Sequence, residues 1–279
     1  MDELGFRSFR QVAPVEKKAE AAVPAAGSRI AVVTEPPVMS ITLQYPPVNV
    51  IDIVMMEELS AALDSVEAQR EISSVIFRGS ERAFSAGVDV AAHTPEKIEE
   101  MLSKFHGVIL KLVATRKVTI AAVRGNCLGG GAELAMVCDL VYTEDNAQWG
   151  FPEIRLGCYP PVAVTALAAL IGQKHASDLI LTGRRIAGSE AAKLGLANKS
   201  VAGGDLEGAV NEAVERMKQL SPTALAITKK ALYAWDSVHF DKGLARAEKI
   251  YREDLMQTED ALEGINAFLE KRSPHWNRS

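Results

Sequence analysis

The stretch that decides the fold is Lys117–Pro160, which reads KVTIAAVRGNCLGGGAELAMVCDLVYTEDNAQWGFPEIRLGCYP. It begins with Lys117–Val123, a short apolar run rich in β-branched residues, which is typical of a buried strand. Three consecutive glycines follow within Asn126–Gly131, and Ala132–Asp139 has the composition of a short helix. Glycines permit backbone angles closed to other residues and let a ligand approach the main chain. The stretch therefore predicts a strand, a glycine loop and a helix whose free N–H groups face that loop.

Two glutamates lie on this stretch. Glu133 falls in the first turn of the predicted helix, and Glu153 follows it after Trp149-Gly150-Phe151-Pro152. Two carboxylates beside a loop of backbone donors can form an acid–base site with an oxyanion hole. Spacing alone leaves the alternatives open, because Glu133 can simply compensate the helix dipole and Glu153 can be a surface charge.

Length and composition exclude several classes of protein. The chain has 279 residues, enough for one large domain or two small ones, with 48% apolar and 24% charged residues. A net charge of −5 and the lack of a basic stripe with interleaved aromatics predict no nucleic-acid partner. No apolar run approaches the roughly 18 residues that span a bilayer, so no membrane partner is expected. The three cysteines lack metal-ligand spacing, which predicts no metal and a reducing compartment.

Three regions of the chain differ in composition and in hydrophobic pattern. Residues 1–27 mix charges and then run through Ala, Pro and Val without a period, which predicts a flexible tail. Residues 28–204 carry strand and helix patterns in ββα order and hold the glycine loop, whereas residues 205–279 are patterned as helices throughout. The helices predicted in the last region are Leu206–Leu220, Pro222–Trp235, Phe240–Met256 and Asp260–Arg272. Their apolar faces predict packing onto the core or onto another subunit.

Segments along most of the chain match one set of sequence patterns. Gly125–Asp139 fits G-x-x-x-G-G-G-x-E-L-A-x-x-C-D, and Gly150–Gly157 carries the F/G-x-P-E-x-x-L-G pattern. Ala83–Asp89 fits A-F-x-A-G-x-D, and Thr258–Arg272 fits T-E-D-x-x-E-G-x-x-A-F-x-E-K-R. These are patterns of the crotonase (enoyl-CoA hydratase/isomerase) superfamily, which the chain resembles over about residues 28–275. The resemblance implies an α/β fold: a crotonase-type spiral of repeated ββα units, with a C-terminal helical region that assembles a homotrimer or a dimer of trimers.

The resemblance also implies an enzyme, an acyl-CoA hydratase. In this family two backbone N–H groups hold the thioester oxygen of the acyl-CoA substrate, and by motif position these belong to Val88 and Gly130. The position of Glu133 helps orient the water, and that of Glu153 chiefly handles the proton on carbon. Isomerases of the superfamily usually keep only one acid, so the presence of both favours a hydratase. No cofactor is implied beyond the coenzyme A of the substrate.

The acyl pocket departs from the family pattern. Relatives acting on straight chains commonly continue after Leu-Gly with x-x-P-G-x-G-G, whereas residues 157–163 here read GCYPPVA. This predicts a remodelled pocket in which Tyr159 contacts the substrate. The resemblance to the family implies, separately, that Ser85, Ala86 and Asp89 flank the CoA channel. The stretch most resembles family members that hydrate cyclohexa-1,5-diene-1-carbonyl-CoA to 6-hydroxycyclohex-1-ene-1-carbonyl-CoA. That implies anaerobic benzoyl-CoA degradation in a bacterial cytoplasm.

Other interpretations remain open. One is a straight-chain enoyl-CoA hydratase or isomerase of fatty-acid oxidation, and another is a non-catalytic superfamily member that acts as a binding protein. A metal or nicotinamide enzyme is disfavoured, because no ligand cluster or dinucleotide fingerprint occurs. His93 and His106 lack a neighbouring nucleophile motif, so we expect them to be solvated or structural.

Overall fold

A computed structural model describes residues 20–21, 27–233 and 237–276. The predicted tail over residues 1–27 lies outside the described residues, except for residues 20, 21 and 27. The strands are β1 (Glu20–Ala21), β2 (Ile30–Glu35), β3 (Val38–Leu43), β4 (Val50–Ile51), β5 (Ser74–Arg78), β6 (Ala83–Ser85), β7 (Gly87–Val88), β8 (Val118–Val123), β9 (Asn126–Leu128), β10 (Leu140–Glu144), β11 (Gln148–Gly150), β12 (Arg185–Ala187) and β13 (Lys199–Val201).

The helices follow the same chain order. They are α1 (Ile53–Ala68), α2 (Ile98–Ala114), α3 (Gly130–Met136), α4 (Pro161–Ile171), α5 (Gln173–Thr182), α6 (Gly188–Leu194), α7 (Leu206–Lys218), α8 (Pro222–Tyr233), α9 (Ser237–Glu253) and α10 (Glu259–Leu269). Short 3-10 turns lie at Val90–Ala92, Pro152–Leu156 and Leu255–Gln257.

The strands wind as a spiral. The large sheet has the order β1-β2-β3-β5-β8-β10-β13, and a smaller sheet has the order β12-β11-β9-β6. Strands β5, β8 and β10 of the large sheet are each followed in the chain by a strand of the smaller sheet: β6, β9 and β11. The large sheet is parallel from β3 to β13, and all six residues of β8 are buried, as expected for a parallel strand covered on both faces. The predicted spiral of repeated units is therefore confirmed.

Helices α1 and α2 pack against each other and against the core. The Asp52 side chain accepts a hydrogen bond from the N–H of Met55 at 2.9 Å, which caps the start of α1. Each helix then buries an apolar stripe at helical spacing. The buried residues of α2 are Ile98, Met101, Leu102, Phe105, His106, Val108, Ile109 and Leu112.

The C-terminal helices cover this core. Helix α9 packs on α4 and also touches α2, and it buries Leu244 and Tyr251. Helix α10 packs on the turn Pro152–Leu156. Apolar side chains stay exposed elsewhere, including Ile227 and Leu232 on α8. The trimerisation role of this region stays a prediction. Within the described parts of the chain, no helix is long and apolar enough to cross a membrane.

Gly264 lets α10 reach the turn that carries Glu153. A Cβ atom at Gly264 would lie 2.3 Å from the carbonyl oxygen of Leu156. Because that oxygen belongs to the main chain, the backbone of α10 or of the turn would have to move to relieve the clash. We expect Gly264→Ala to lower the free energy of unfolding by about 1–3 kcal/mol, because overpacking forces the helix away from the turn. Urea unfolding of both proteins measures this difference.

Gly208→Ala on α7 is the matched control. No atom lies within 4 Å of the position that its Cβ would take, so the substitution only improves helix propensity. We expect it to leave stability unchanged or to raise it by up to about 1 kcal/mol. Equal stability of the Gly264→Ala protein and the unmodified protein would contradict the packing described for α10.

Candidate active site

The glycine loop brings main chain and carboxylate into contact. Gly129 has φ 51° and ψ −129°, a backbone conformation that favours glycine, and its N–H donates to the carbonyl of Gly150 at 2.9 Å. A Cβ atom at Gly129 would lie 2.4 Å from Oε1 of Glu153. Only a residue without a side chain therefore lets the Glu153 carboxylate lie against the start of α3.

Two backbone N–H groups meet beside this loop. Asp89 donates its N–H to the carbonyl of Ile51 at 3.1 Å, and the alternation of a parallel ladder then directs the N–H of Val88 away from β4. The N–H of Gly130 is the first of α3 and has no intrahelical acceptor, and its N-cap is a glycine without a capping side chain. A Cβ atom at Gly130 would lie 3.3 Å from the nitrogen of Val88. The structure thus places both predicted oxyanion donors side by side.

Most of the predicted site residues line one cavity. They are Ala86, Val88, Gly130, Glu133, Glu153 and Tyr159. Helix α2 supplies one wall through Leu102 and Phe105, and α9 supplies Tyr251. The C-terminal region therefore contributes directly to the cavity that the spiral core forms.

Ser85 and Asp89 do not lie on the wall of this cavity. Ser85 is fully buried, and its hydroxyl donates to the carbonyl of Asn49 at 2.7 Å and accepts from the N–H of Gly87 at 3.1 Å. The carboxylate of Asp89 accepts from the N–H of Ala91 at 3.1 Å, and the residue lines a neighbouring surface cavity. Both side chains shape the loops on either side of Val88. The position of these two residues beside the CoA channel stays a prediction.

Glu133 is buried on α3, with 3% of its surface exposed. Its Oε1 accepts a hydrogen bond from the N–H of Ala163 at 2.9 Å. Burial raises the pKa of Glu133 to about 7, although the N–H of Ala163 and the imidazole of His106 act in the opposite direction. This carboxyl group therefore changes its charge near neutral pH.

Glu153 faces Glu133 from the turn Pro152–Leu156. Its Oε2 is buried and has no hydrogen-bond partner among the residues that the structure describes. Burial, and next the charge of Glu133, raise the pKa of Glu153 to about 8. The two groups titrate as a pair, so near neutral pH they share one proton between two carboxylates.

The cavity also contains three polar residues for which the sequence predicts no part in the site. His106 lines it with Nε2 buried and unpartnered among the described residues, while Nδ1 is hydrogen bonded to Glu248 of α9. Tyr251 also lines it, and its buried hydroxyl has no hydrogen-bond partner within the part of the chain that the structure describes. His93 also lines it, and its Nδ1 lies 3.0 Å from the carbonyl oxygen of Asp89.

For His106, the sequence carries a signal that does not by itself separate a structural from a functional histidine. It interrupts the buried apolar stripe of α2, which suits a structural histidine equally well. Its partner Glu248 is 142 residues away, and no local pattern connects the two. Burial lowers the pKa of His93, which favours its neutral form and agrees with the structural role expected for that residue.

Comparison with known proteins decides the family. The family model for enoyl-CoA hydratase/isomerase matches residues 34–279. The chain belongs to the enoyl-CoA hydratase/isomerase family. Cyclohexa-1,5-dienecarbonyl-CoA hydratase of Thauera aromatica is 33% identical over 239 residues, which cover 85% of this chain and 92% of the relative. A probable enoyl-CoA hydratase of Rhizobium meliloti is 37% identical over 235 residues, covering 83% and 91%.

Solved structures of the family share this architecture. The crystal structure of an enoyl-CoA hydratase/isomerase from Xanthobacter autotrophicus Py2 superposes with a TM-score of 0.80 at 30% identity, covering 87% of this chain and 93% of that chain. The family resemblance and the enzyme class predicted from the sequence, an acyl-CoA hydratase, are thus confirmed.

Proposed function

We propose that this hydratase adds water to cyclohexa-1,5-diene-1-carbonyl-CoA and forms 6-hydroxycyclohex-1-ene-1-carbonyl-CoA, a step of anaerobic benzoyl-CoA degradation. The observation that carries the chemistry is the pair Glu133 and Glu153, which line one cavity with pKa values of about 7 and 8. A pair that holds one proton near neutral pH offers a base and an acid at once. Addition of water needs both in a single active-site state.

The N–H groups of Val88 and Gly130 hold the thioester oxygen in this proposal. Addition of water to an unsaturated thioester places negative charge on that oxygen as the enolate develops. Donors fixed at the place where charge develops stabilise it without reorganisation, and each is worth about 3–4 kcal/mol. This arrangement requires glycine at position 130, because a Cβ atom at Gly130 would lie 2.6 Å from Cγ2 of Val88.

The carboxylates then have distinct tasks. Glu133, fixed by the N–H of Ala163, orients and activates the water. Glu153, whose pKa is raised by burial and by the charge of Glu133, delivers a proton to carbon. Its Oε2 has no hydrogen-bond partner among the described residues, and Glu153 lines the same cavity as Glu133, so this oxygen is available to the substrate.

An aromatic wall supports the choice of a ring-shaped acyl group. Tyr159 and Tyr251 meet edge to face, with ring centroids 5.1 Å apart and planes at 73°. The hydroxyl of Tyr159 donates to the carbonyl of Ala247 at 2.6 Å, which fixes its ring against α9. Pro160 and Pro161 complete this side of the cavity. A rigid wall of flat rings suits a planar six-membered substrate, and the Thauera aromatica relative is named for one.

A straight-chain enoyl-CoA is the second candidate substrate. The Rhizobium meliloti relative at 37% identity is named as a probable enoyl-CoA hydratase. This similarity supports a straight-chain substrate, and it does not depend on the shape of the aromatic wall. Steady-state hydration of cyclohexa-1,5-diene-1-carbonyl-CoA and of crotonyl-CoA by the purified protein separates the two. We expect kcat/KM to favour the cyclic dienoyl thioester by at least about 100-fold, the range that pocket complementarity provides. A preference for crotonyl-CoA would overturn the ring proposal, and turnover of neither would favour a binding protein.

The carboxylate pair predicts a narrow pH optimum. We expect kcat/KM to rise with pH as the first carboxyl group loses its proton with a pKa of about 7, because the base must be ionised. It should fall again as the second loses its proton with a pKa of about 8, because the acid must be protonated. A pH–rate profile from pH 5 to 10 measures both limbs. A rate that is flat from pH 5 to 7 would contradict it.

Assembly and location complete the proposal. We propose a homotrimer or a dimer of trimers in a bacterial cytoplasm that needs no cofactor besides the coenzyme A of its substrate. The exposed apolar side chains of Ile227 and Leu232 support an oligomer, since monomeric proteins rarely expose neighbouring large apolar side chains to water. Light scattering of the purified protein gives the number of subunits.

A further inference from the structure

We propose that His106 and Tyr251, joined through Glu248, form a hydroxyl-binding subsite of the acyl cavity, which takes the hydroxyl group of the hydrated product. This inference rests on the proposed hydration of an unsaturated acyl-CoA thioester, whether ring or chain. It goes beyond that function by assigning a binding site to the group that distinguishes product from substrate. An alkene carbon has no hydrogen-bonding atom, whereas a hydroxyl group both donates and accepts.

The first support is a pair of buried polar atoms without partners. His106 and Tyr251 are 2% and 1% exposed, and both line the cavity that holds Glu133 and Glu153. Nε2 of His106 and the hydroxyl of Tyr251 have no hydrogen-bond partner among the residues that the structure describes. A buried polar atom without a partner is costly and uncommon in a folded protein. The cavity therefore offers two polar atoms that no bond within the described chain uses.

Glu248 places these two polar groups side by side. Its Oε1 is hydrogen bonded to Nδ1 of His106, which joins α9 to α2. Tyr251 follows Glu248 by three residues on α9. Residues at this spacing lie on the same face of a helix, with Cβ atoms about 5–6 Å apart. The imidazole and the phenol therefore enter the cavity from the same side.

The two groups offer an acceptor beside a donor. Because the carboxylate of Glu248 accepts, Nδ1 of His106 carries a proton, and in the neutral imidazole Nε2 is then an acceptor. The ring of Tyr251 is packed edge to face on Tyr159, with centroids 5.1 Å apart. Burial raises the pKa of the Tyr251 phenol, so the hydroxyl keeps its proton near neutral pH and can donate it. One hydroxyl group complements both, since it can donate to the imidazole and accept from the phenol.

The surroundings of the phenol place the subsite next to the carboxylate turn. The thiol of Cys158 influences the Tyr251 hydroxyl, but sulfur is a weak hydrogen-bond partner, and this thiol donates to the carbonyl of Leu156 at 3.5 Å. The N–H of Cys158 donates to the carbonyl of Glu153 at 3.0 Å, and the next residue is Tyr159, which packs on Tyr251. The hydroxyl group that the carboxylates add to the acyl group therefore forms in the cavity beside Tyr251.

Calorimetric binding of two unreactive thioesters tests this proposal. One probe, 3-hydroxy-2,2-dimethylpropanoyl-CoA, carries a hydroxyl group on the β carbon, and the other, 2,2-dimethylbutanoyl-CoA, has a methyl group in its place. The α carbon of both lacks a proton, so the hydroxyl group cannot be eliminated as water. We expect the unmodified protein to bind the hydroxyl probe about tenfold more tightly than the methyl probe, as one or two hydrogen bonds provide. Tyr251→Phe should abolish this preference and bind the methyl probe as tightly as before.

Two further variants complete the design. Tyr142→Phe on β10 also removes a phenol hydroxyl, but Tyr142 lies outside this cavity, so this control should keep the preference. Tyr251→Phe should unfold in urea at no lower concentration than the unmodified protein, because the hydroxyl that it removes has no partner within the described residues. His106→Leu removes Nε2 and is the second variant if Tyr251→Phe fails to fold. It should reduce the preference in the same direction.

A structural role of the phenol gives a different result. Equal loss of affinity for both probes in Tyr251→Phe would overturn the proposal, because a hydroxyl that only supports the pocket serves either probe. Equal binding of both probes by the unmodified protein, or binding of neither, would overturn it as well. Failure of the proposed function is recognised separately, since the unmodified protein would then hydrate no unsaturated thioester, a reaction that neither probe undergoes.

Discussion

Glu153→Gln is expected to lower kcat for hydration by about 10²–10⁴-fold while the acyl-CoA substrate still binds, because the amide has the shape of the carboxyl group but no acidic proton to deliver. The Oε2 atom of Glu153 is buried without a partner among the described residues, so its environment serves the reaction rather than the fold. Steady-state kinetics give the loss of turnover. Calorimetric binding of a saturated acyl-CoA thioester shows whether the cavity still accepts the ligand.

The stability of the variant separates lost chemistry from lost structure. The pKa of Glu153 in the folded protein is raised to about 8 from an ordinary value near 4.5, so ionisation of this group destabilises the folded state increasingly as pH rises through that interval. Gln carries no charge, and we expect the variant to be at least as stable as the unmodified protein at pH 9. Glu212→Gln, in an exposed ion pair on α7, is the control and should retain full activity. Near-normal turnover of Glu153→Gln would refute the two-carboxylate assignment.

Gly130→Ala is expected to lower kcat by about 10²–10³-fold, the usual cost of one lost oxyanion donor. The added Cβ would lie 2.6 Å from Cγ2 of Val88 and 3.2 Å from Cζ of Phe105, in the space between the two N–H groups. The thioester oxygen could then no longer reach both donors. Hydration rates at saturating substrate measure the loss.

Gly107→Ala provides the comparison for that experiment. Gly107 lies on α2 beside His106, but no atom lies within 4 Å of the position that its Cβ would take. We expect full activity and slightly higher stability, since alanine is the better helix former. If Gly130→Ala were as active as Gly107→Ala, the oxyanion role of the Gly130 N–H would be wrong.

Local patterns were sufficient for much of the fold. The strand predicted over Lys117–Val123 is β8 at Val118–Val123, because a run of buried β-branched residues between polar ends has few other structures open to it. The helix predicted over Ala132–Asp139 instead begins at Gly130 and ends at Met136. Glycine is a poor helix former by propensity, and the closeness of Val88, whose Cγ2 would lie 2.6 Å from a Cβ atom at Gly130, explains why glycine stands at this position.

The composition of the site was harder to predict where long-range contacts decide it. Ser85 lies in the family pattern beside Val88, but its side chain turns inward to the carbonyl of Asn49, a direction that sequence does not encode. His106 meets Glu248 only because α9 folds back over α2. Both cases depend on the packing of elements far apart in the chain, for which periodicity and motif spacing carry no signal.

Turnover in water enriched in oxygen-18 tests the central claim most directly. Hydration requires that the product of cyclohexa-1,5-diene-1-carbonyl-CoA contain one oxygen atom from solvent, bonded to a ring carbon, and we expect the rate of this incorporation to fall with Glu153→Gln by the same factor as kcat. Mass spectrometry of the isolated thioester detects the added water and its isotope. A product with the mass of the substrate, formed without solvent oxygen, would show that the enzyme only moves a double bond and would contradict the account.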